Sequence, residues 1–436
     1  MGALGLAVLA SLLGGVWAFG RAAHAAKPPA AAAAWGAAAL TVLIGLTLTA
    51  GVFMEFRQRS QEALERRFQS VALERSQAIV EEFKGGLREL DAVRRFYNIS
   101  GGVSRSAFHQ FVAPILEYHQ FQALEWIPRV AREQRADVEA AARQDGLAGF
   151  QFTERDSEGR LVPAGERAEY FPVYYLEPYA GNEAALGSSP DSLHPSHGVA
   201  LLQAWDSGQL ALTERYVLVQ ESDRRFSVLA FAPVYHGGEA PHDAEERRQR
   251  LKGFVLGVFR ISDVIASVFA YHPSAGLVME VSDLSAPLER QPLYTWNPSR
   301  PDAEPVVGHP PLRYRQDFAM ANRVWRIEAR PTAAFIADNT DRSYRWMPAG
   351  GALLTFLAAL YLFTVISQRR RAEQLVAART AELRESEQLF RSIFEKGGDG
   401  ALLIDDGRFI DCNERVLTLF GATSREQVVA FRPADL

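Results

Sequence analysis

Three uncharged stretches, Gly2 to Gly20, Pro28 to Met54 and Met347 to Ser367, constrain this chain more than any other feature. Each is close to the ~20 apolar residues that cross a hydrocarbon core as a helix, the form in which a backbone in lipid satisfies its own hydrogen bonds. The lipid bilayer is therefore the first partner to expect, and the chain reads as multi-pass. A cleaved signal peptide carries positive charge ahead of its apolar run. Here nothing basic precedes Arg21, which favours a retained helix over residues 1–20. Arg21 and Lys27 lie between the first two blocks, and Arg369, Arg370 and Arg371 follow the third, so the positive-inside rule puts both flanks in the cytoplasm. Glu55 to Trp346 is then extracytoplasmic, beyond an inner (plasma) membrane, and Tyr344 and Trp346 suit the aromatic belt at its outer face.

The single cysteine, Cys412, falls on the cytoplasmic side, so the outer region must be held by a packed core rather than by disulfides. A net charge of −5 offers no basic field, which argues against nucleic acid as a partner.

From Glu55 the sequence turns polar but keeps an apolar stripe at Phe56, Leu64, Phe68, Val71, Ile79, Phe83, Leu87, Leu90, Val93 and Tyr97. Steps of three, four and eight residues predict one amphipathic helix over 55–97, a stalk continuing the span at 28–54. Beyond Gly101 and Gly102, short β-branched and aromatic runs predict strands at Phe150–Thr153, Tyr170–Leu176, Tyr216–Val219 and Phe226–Tyr235. A second group follows at Gly253–Ile261, Leu277–Val281 and Arg323–Ala329, with Ser262 and Asp263 as candidate caps of a helix through Phe269. The polar stretch His236–Lys252 divides the groups. The expectation is an α+β fold: two lobes on the stalk, a distal one at about 101–235 and a proximal one at about 253–335. After the span at 347–367, Val376, Leu383 and Phe390 recur every seventh residue, with Ile393 at a second seam position, which predicts a coiled-coil linker over 368–392 and a homodimer.

Five motifs in order, Ala123-Leu124-Glu125-Trp126-Ile127-Pro128-Arg129-Val130 with Arg135, Glu169-Tyr170-Phe171-Pro172-Val173, Ala185-Leu186-Gly187, Asp206-Ser207-Gly208 and Phe231-Ala232-Pro233-Val234-Tyr235, resemble the CHASE family. That family is an extracytoplasmic sensory domain of receptor histidine kinases and nucleotide cyclases, the plant cytokinin receptors included. The resemblance implies a long helix followed by two PAS-like lobes within about 98–335, with a small ligand in the lobe farther from the membrane. Tyr170, Tyr174, Leu218 and Phe231 are candidate walls of such a pocket. Where cytokinin-binding members place a purine-recognising aspartate, Ser189 stands here if the alignment is anchored on Leu186-Gly187; anchoring on Asp206-Ser207-Gly208 brings Pro190 or Asp191 nearest. Glu125, Trp126 and Arg135 are read as a cluster that holds the fold. Asp191, His194 and His197 do not form a metal site by spacing, because Pro195 interrupts them and zinc needs three or four convergent ligands.

At the other end, Glu387-x-x-Phe390-Arg391-Ser392-Ile393-Phe394-Glu395, Asp399 to Asp405, Asn413-Glu414-Arg415-Val416 and Leu419-Phe420-Gly421 resemble a PAS domain, of which 387–436 is a part. No phosphate-cradling, zinc-hydrolase or serine-elbow motif is present, so the chain itself is expected to be no enzyme and to need no cofactor. The expected function is a transmembrane sensor that passes ligand binding to a cytoplasmic PAS and output module. The alternative is the amino-terminal part of a histidine kinase or of a cyclic-di-nucleotide cyclase or phosphodiesterase.

Overall fold

A computed structural model describes residues 30–156, 158, 160–217, 225–297 and 312–432. The predicted span at 1–20 and the wall candidate Leu218 lie outside the described residues. The chain divides into two compact units, residues 59–341 and a second made of 1–58 with 342–436.

The helix that begins at Ala30 runs unbroken to Ile99, and its part from Arg59 on belongs to the first unit. A helix at Arg105–Tyr118 follows, with Ser104 capping it by accepting from the Ala107 N–H. The strands are β1 (Phe121–Pro128), β2 (Val130–Ala131), β3 (Thr153–Arg155), β4 (Leu161–Pro163), β5 (Glu169–Tyr170), β6 (Tyr175–Glu177), β7 (Ala211–Leu212), β8 (Tyr216–Val217), β9 (Phe226–Tyr235), β10 (Leu251–Arg260), β11 (Leu277–Asp283), β12 (Pro292–Trp296), β13 (Tyr314–Met320) and β14 (Arg323–Pro331). Six of them form one antiparallel sheet in the order β6-β1-β10-β9-β7, with β8 also on β9; four more form a second, β12-β11-β14-β13.

Alternation of side chains across a strand explains how the larger sheet is used. On one face Leu124, Trp126, Val228, Ala230, Ala232, Val234, Val255 and Phe259 join the stalk residues Phe68, Ile79, Phe83, Leu90, Val93 and Tyr97 in one core. That core also takes in Met279, Trp325 and Ile327 of the second sheet. Phe83 touches both sheets, 6.5 Å from the Phe259 ring and 5.1 Å from Trp325. On the other face Ala123, Ile127, Leu229, Phe231, Phe254, Leu256 and Val258 pack with Phe171, Val173, Ala200, Leu201 and Ala204.

Four of these readings need correction. The strand at Gly253–Ile261, grouped above with the proximal lobe, is β10, and it pairs along its length with both β1 and β9 of the larger sheet. The polar stretch before it divides no lobes: it is the connection between two antiparallel neighbours and carries the helix Ala244–Arg250, capped by Asp243. The run Tyr170–Leu176 is broken into β5 and β6, since Pro172 has no N–H for a ladder. The helix Ile261–Tyr271 has no side-chain cap; Ser262 instead donates to Asp263, and Asp263 takes the Arg260 guanidinium.

In the second unit, the helices containing Ala34 and Ser343–Lys396 are both long and apolar enough to cross a membrane. They run antiparallel: Trp35 meets Phe363 at 5.0 Å and Phe53 meets Tyr344 at 5.8 Å between ring centroids. Between these ends, Gly45 faces the Thr355 side chain and Gly351 faces that of Thr49. Each threonine hydroxyl bonds the carbonyl four residues back on its own helix, at 2.7 Å, so the close approach leaves no polar group unmet. Near the carboxyl end, a hairpin of Leu402–Asp405 and Arg408–Cys412 precedes helices Glu414–Phe420 and Arg425–Val429. Asn413 pins it, accepting from Ala401 and Val416 N–H groups and donating to the Asp399 carbonyl.

Candidate functional site

The face of the larger sheet turned away from the stalk encloses a cavity of about 190 Å³. Its floor is aliphatic, made by Ala123 of β1, Leu256 and Val258 of β10 and Leu229 of β9, which register places side by side. Its walls are Val173, the turn Ala184–Ala185, Ser188, Pro190, Tyr216 and the histidines 194 and 197, with Arg155 and Asn182 also on the lining. A wider, open groove of about 1320 Å³ lies between the stalk at Leu87–Arg95 and residues of the helix Pro195–Ser207. It is a surface trough, whereas the smaller cavity buries polar groups without partners.

Glu125 is the first of these. It follows Ala123 by two residues and so points to the same face, into the cavity, while its neighbour Trp126 points to the stalk. It is 5% exposed, and among the described residues it makes no hydrogen bond or ion pair. Burial alone pushes its carboxyl up to about 8, so it holds its proton at neutral pH. His197 is the second. Its Nδ1 lies 3.1 Å from the Pro190 carbonyl, which only accepts, so the ring proton sits on Nδ1. The Nε2 lone pair is buried with no hydrogen-bond partner among the described residues, on a ring that lines the cavity. Burial holds the ring neutral, bringing it down to about 4 despite the Pro190 carbonyl, and the Tyr216 ring stands edge-on to it at 4.6 Å.

The loop that closes the cavity depends on Gly187. Its φ of +77° is left-handed, and a Cβ there would strike the Gln151 carbonyl. With glycine, the segment is stitched on both sides, Gly187 N–H to Val173 O at 2.8 Å and Thr153 N–H to Gly187 O at 2.9 Å.

The sequence-predicted wall residues are placed elsewhere. Tyr170 is a buried post: its hydroxyl donates to the Gly165 carbonyl and accepts from the Arg167 N–H, beneath the Arg135 guanidinium. Phe231 shares the Glu125–Leu256 row of the sheet but is fully buried, edge-on to Phe254. Tyr174 packs against Phe150 and Tyr175. Ser189 begins the helix Pro190–Leu193, which contains Asp191, and its hydroxyl donates to the Phe171 carbonyl. None of these four side chains lines the cavity. The expected cluster of Glu125, Trp126 and Arg135 is also dispersed. Trp126 stacks on Tyr97, and Arg135 bonds Glu139 and the Ala164 carbonyl over the Phe152 and Tyr170 rings. Sequence reasoning missed Glu125 as a cavity residue, although a carboxylate inside an apolar strand is the available signal.

The ligand-binding domain of a Pseudomonas aeruginosa amino-acid chemoreceptor, solved with GABA, superposes with a TM-score of 0.32 and 11% identity, over 61% of this chain and 98% of that one. The periplasmic sensory domain of a Campylobacter jejuni chemoreceptor gives 0.38 and 9% identity over 65% and 100%. An extracellular ligand-binding receptor from Desulfohalobium retbaense gives 0.36 and 9% identity over 60% and 40%. Scores this low do not establish a common fold. No curated protein sequence matches the chain significantly. The CHASE domain family matches residues 101–294, which contain every residue of the cavity, and a PAS domain family matches residues 388–435. The chain carries a CHASE domain, whose larger sheet encloses the cavity, and a PAS-domain segment.

Proposed function

We propose that the chain is a transmembrane receptor whose extracytoplasmic CHASE domain binds a small ligand in the Glu125–His197 cavity. The observation that carries this reading is an enclosed space lined mainly by apolar side chains in which two buried polar groups lack partners. Such groups cost stability unless something bonds them, and a bound ligand does so.

Transmission uses the two faces of one strand. Ligand contact with Glu125 acts on β1, and Trp126, the next residue, bears on the stalk at Tyr97. In a homodimer of stalks, a ligand that favours one packing by ~5.5 kcal/mol moves the population from 1:99 to 99:1. The shift passes through the span at 347–367 to a coiled coil over 368–392, where Leu375, Val376, Leu383 and Phe390, with Ile393 just beyond, are exposed and open to a partner helix. It then reaches the cytoplasmic PAS segment and an output module. The two sheets correspond to two PAS-like lobes in this reading, with the span at 1–20 as a further crossing. The chain acts as receiver, and a histidine kinase or cyclic-di-nucleotide enzyme supplies the output.

A thermal-shift screen of the full chain in lipid nanodiscs tests ligand binding. At least one small molecule should raise the melting temperature of the wild type and not that of a cavity-filling Ala123→Leu variant. A ligand that stabilises both equally places binding elsewhere and overturns the assignment.

A further inference from the structure

We propose that the cavity takes a small primary amine, its ammonium group received by the Glu125 carboxylate and the His197 Nε2, with its alkyl part on the Leu229, Leu256 and Val258 floor. This rests on the cavity being the ligand site and names the chemistry it selects.

Glu125 of β1 and His197 of the helix Pro195–Ser207 line the same cavity; the Glu125 carboxyl makes no hydrogen bond or ion pair among the described residues, and the His197 Nε2 has no partner there either. An ammonium carries three N–H donors and no acceptor, so it can serve both at once. The floor, Leu229, Leu256 and Val258, is aliphatic and suits an alkyl chain, while Gln122, Arg155, Asn182, Ser188 and His194 make the rest of the lining partly polar. The volume, about 190 Å³, is slightly larger than the ~150 Å³ cavity that takes a benzene molecule, so the fit is to roughly six to eight heavy atoms.

Charge balance favours the same class. At neutral pH the buried Glu125 carboxyl is protonated and the His197 ring is neutral. An alkylammonium ion entering from solution displaces the Glu125 proton, which leaves to the buffer. One cation enters, one proton leaves, and the burial of an uncompensated charge is avoided. The other titratable or charged groups that face this space are Arg155 of β3, His194 and Tyr216. Arg155 has interactions of its own, and the His194 Nδ1 accepts from the Ser196 N–H.

Titration calorimetry of the full chain in nanodiscs with n-butylamine, n-butanol and butyrate, in two buffers of different ionisation enthalpy, tests the proposal. The amine should bind with release of about one proton near pH 7, and its affinity should rise by up to about tenfold per pH unit from 6 to 8. Glu125→Gln should weaken amine binding at least tenfold and abolish proton release, while His197→Gln should weaken binding with release retained. Butanol or butyrate binding as tightly as the amine overturns the amine assignment, butyrate pointing to Arg155 as the anchor. So does amine binding without proton release, or failure of all three probes to bind at millimolar concentration. None of these outcomes touches the receptor reading, which the unbiased screen decides separately.

Discussion

The Trp126 indole lies on the Tyr97 ring with centroids 4.0 Å apart and planes 19° from parallel, joining the central sheet to the stalk. The contact is buried on both sides, at 5% and 2% exposure, and Phe108 closes it edge-on at 6.2 Å from Tyr97. A stacked pair in a dense core holds two elements at a fixed spacing better than aliphatic packing does, because ring orientation is also specified.

Tyr97 separates ring from hydroxyl. Its Oη is buried with no hydrogen-bond partner among the described residues, and burial pushes the phenol far above its ordinary range. Tyr97→Ala should cost about 3–5 kcal/mol through the cavity left against Trp126. Tyr97→Phe keeps the stack and removes an unmet polar atom, so it should leave stability unchanged or raise it by up to about 1 kcal/mol. Chemical denaturation of the ligand-free chain measures both. A Tyr97→Phe variant as unstable as Tyr97→Ala would mean that the hydroxyl, not the ring, holds the joint.

Glu125 and His197 give the ligand-free domain opposed pH dependences. The Glu125 carboxyl is raised from 4.5 to about 8, so its stabilising contribution is complete below pH 4.5 and is lost as pH rises toward 8. His197 is lowered from 6.5 to about 4, so its contribution is complete above pH 6.5 and is lost as pH falls toward 4. Between pH 4.5 and 6.5 the two slopes cancel, each near 1.4 kcal/mol per unit as an order of magnitude. In melting experiments across pH 4 to 9, Glu125→Gln should gain stability over wild type as pH rises toward 8, and His197→Gln should gain as pH falls toward 4. Profiles parallel to wild type in both variants would place these groups in solvent.

Much of this architecture was legible because periodicity reports burial directly. The stalk stripe ending at Val93 and Tyr97 and the strand Phe226–Tyr235 are continuous patterns, and each appears as an element with those residues in the core. Motif order was also informative, since the CHASE motifs and all of the PAS motifs but Glu387 fall within the family matches. What periodicity could not report was partnership between strands. Nothing in Gly253–Ile261 says that its neighbours are Phe121–Pro128 and Phe226–Tyr235, and the charged run before it looked like a boundary. The site was less legible for the same reason. Tyr170 and Phe231 are aromatic in strands, as a pocket wall or a core post would be, and only packing separates the two. Glu125 stood in a motif whose Trp126 drew a structural explanation over both residues, though successive residues of a strand face opposite ways.

Gly187 should tolerate no side chain. Alanine at φ +77° is strained by about 1 kcal/mol before its Cβ meets the Gln151 carbonyl, and relief requires moving the backbone that bonds Thr153 and Val173. Gly187→Ala should therefore lower stability by about 2 kcal/mol or more and loosen the cavity wall at Ser188. Hydrogen exchange locates the effect: protection should fall at the Thr153 and Val173 amides and persist in β13 and β14 of the second sheet. Uniform loss across both sheets would show that this loop supports the whole domain rather than the cavity.

The two apolar helices meet through a reciprocal pair, Gly45 against Thr355 and Gly351 against Thr49. In lipid there is little hydrophobic gain from helix association, so close backbone approach at small residues supplies much of the attraction. A leucine at position 45 has no space beside Thr355 and should force the helices apart. With Cys412 replaced by serine, a Trp35→Cys, Phe363→Cys chain should be bridged within the chain by a short bis-maleimide in membranes, since the two native rings meet with centroids 5.0 Å apart and a spacer spans the gap left by the smaller side chains. Adding Gly45→Leu should cut that yield severalfold, whereas Gly51→Leu, whose added side chain meets nothing nearby, should not. Equal yields in all three would mean that the aromatic contacts at the ends, not the glycine–threonine pairs, bring these helices together.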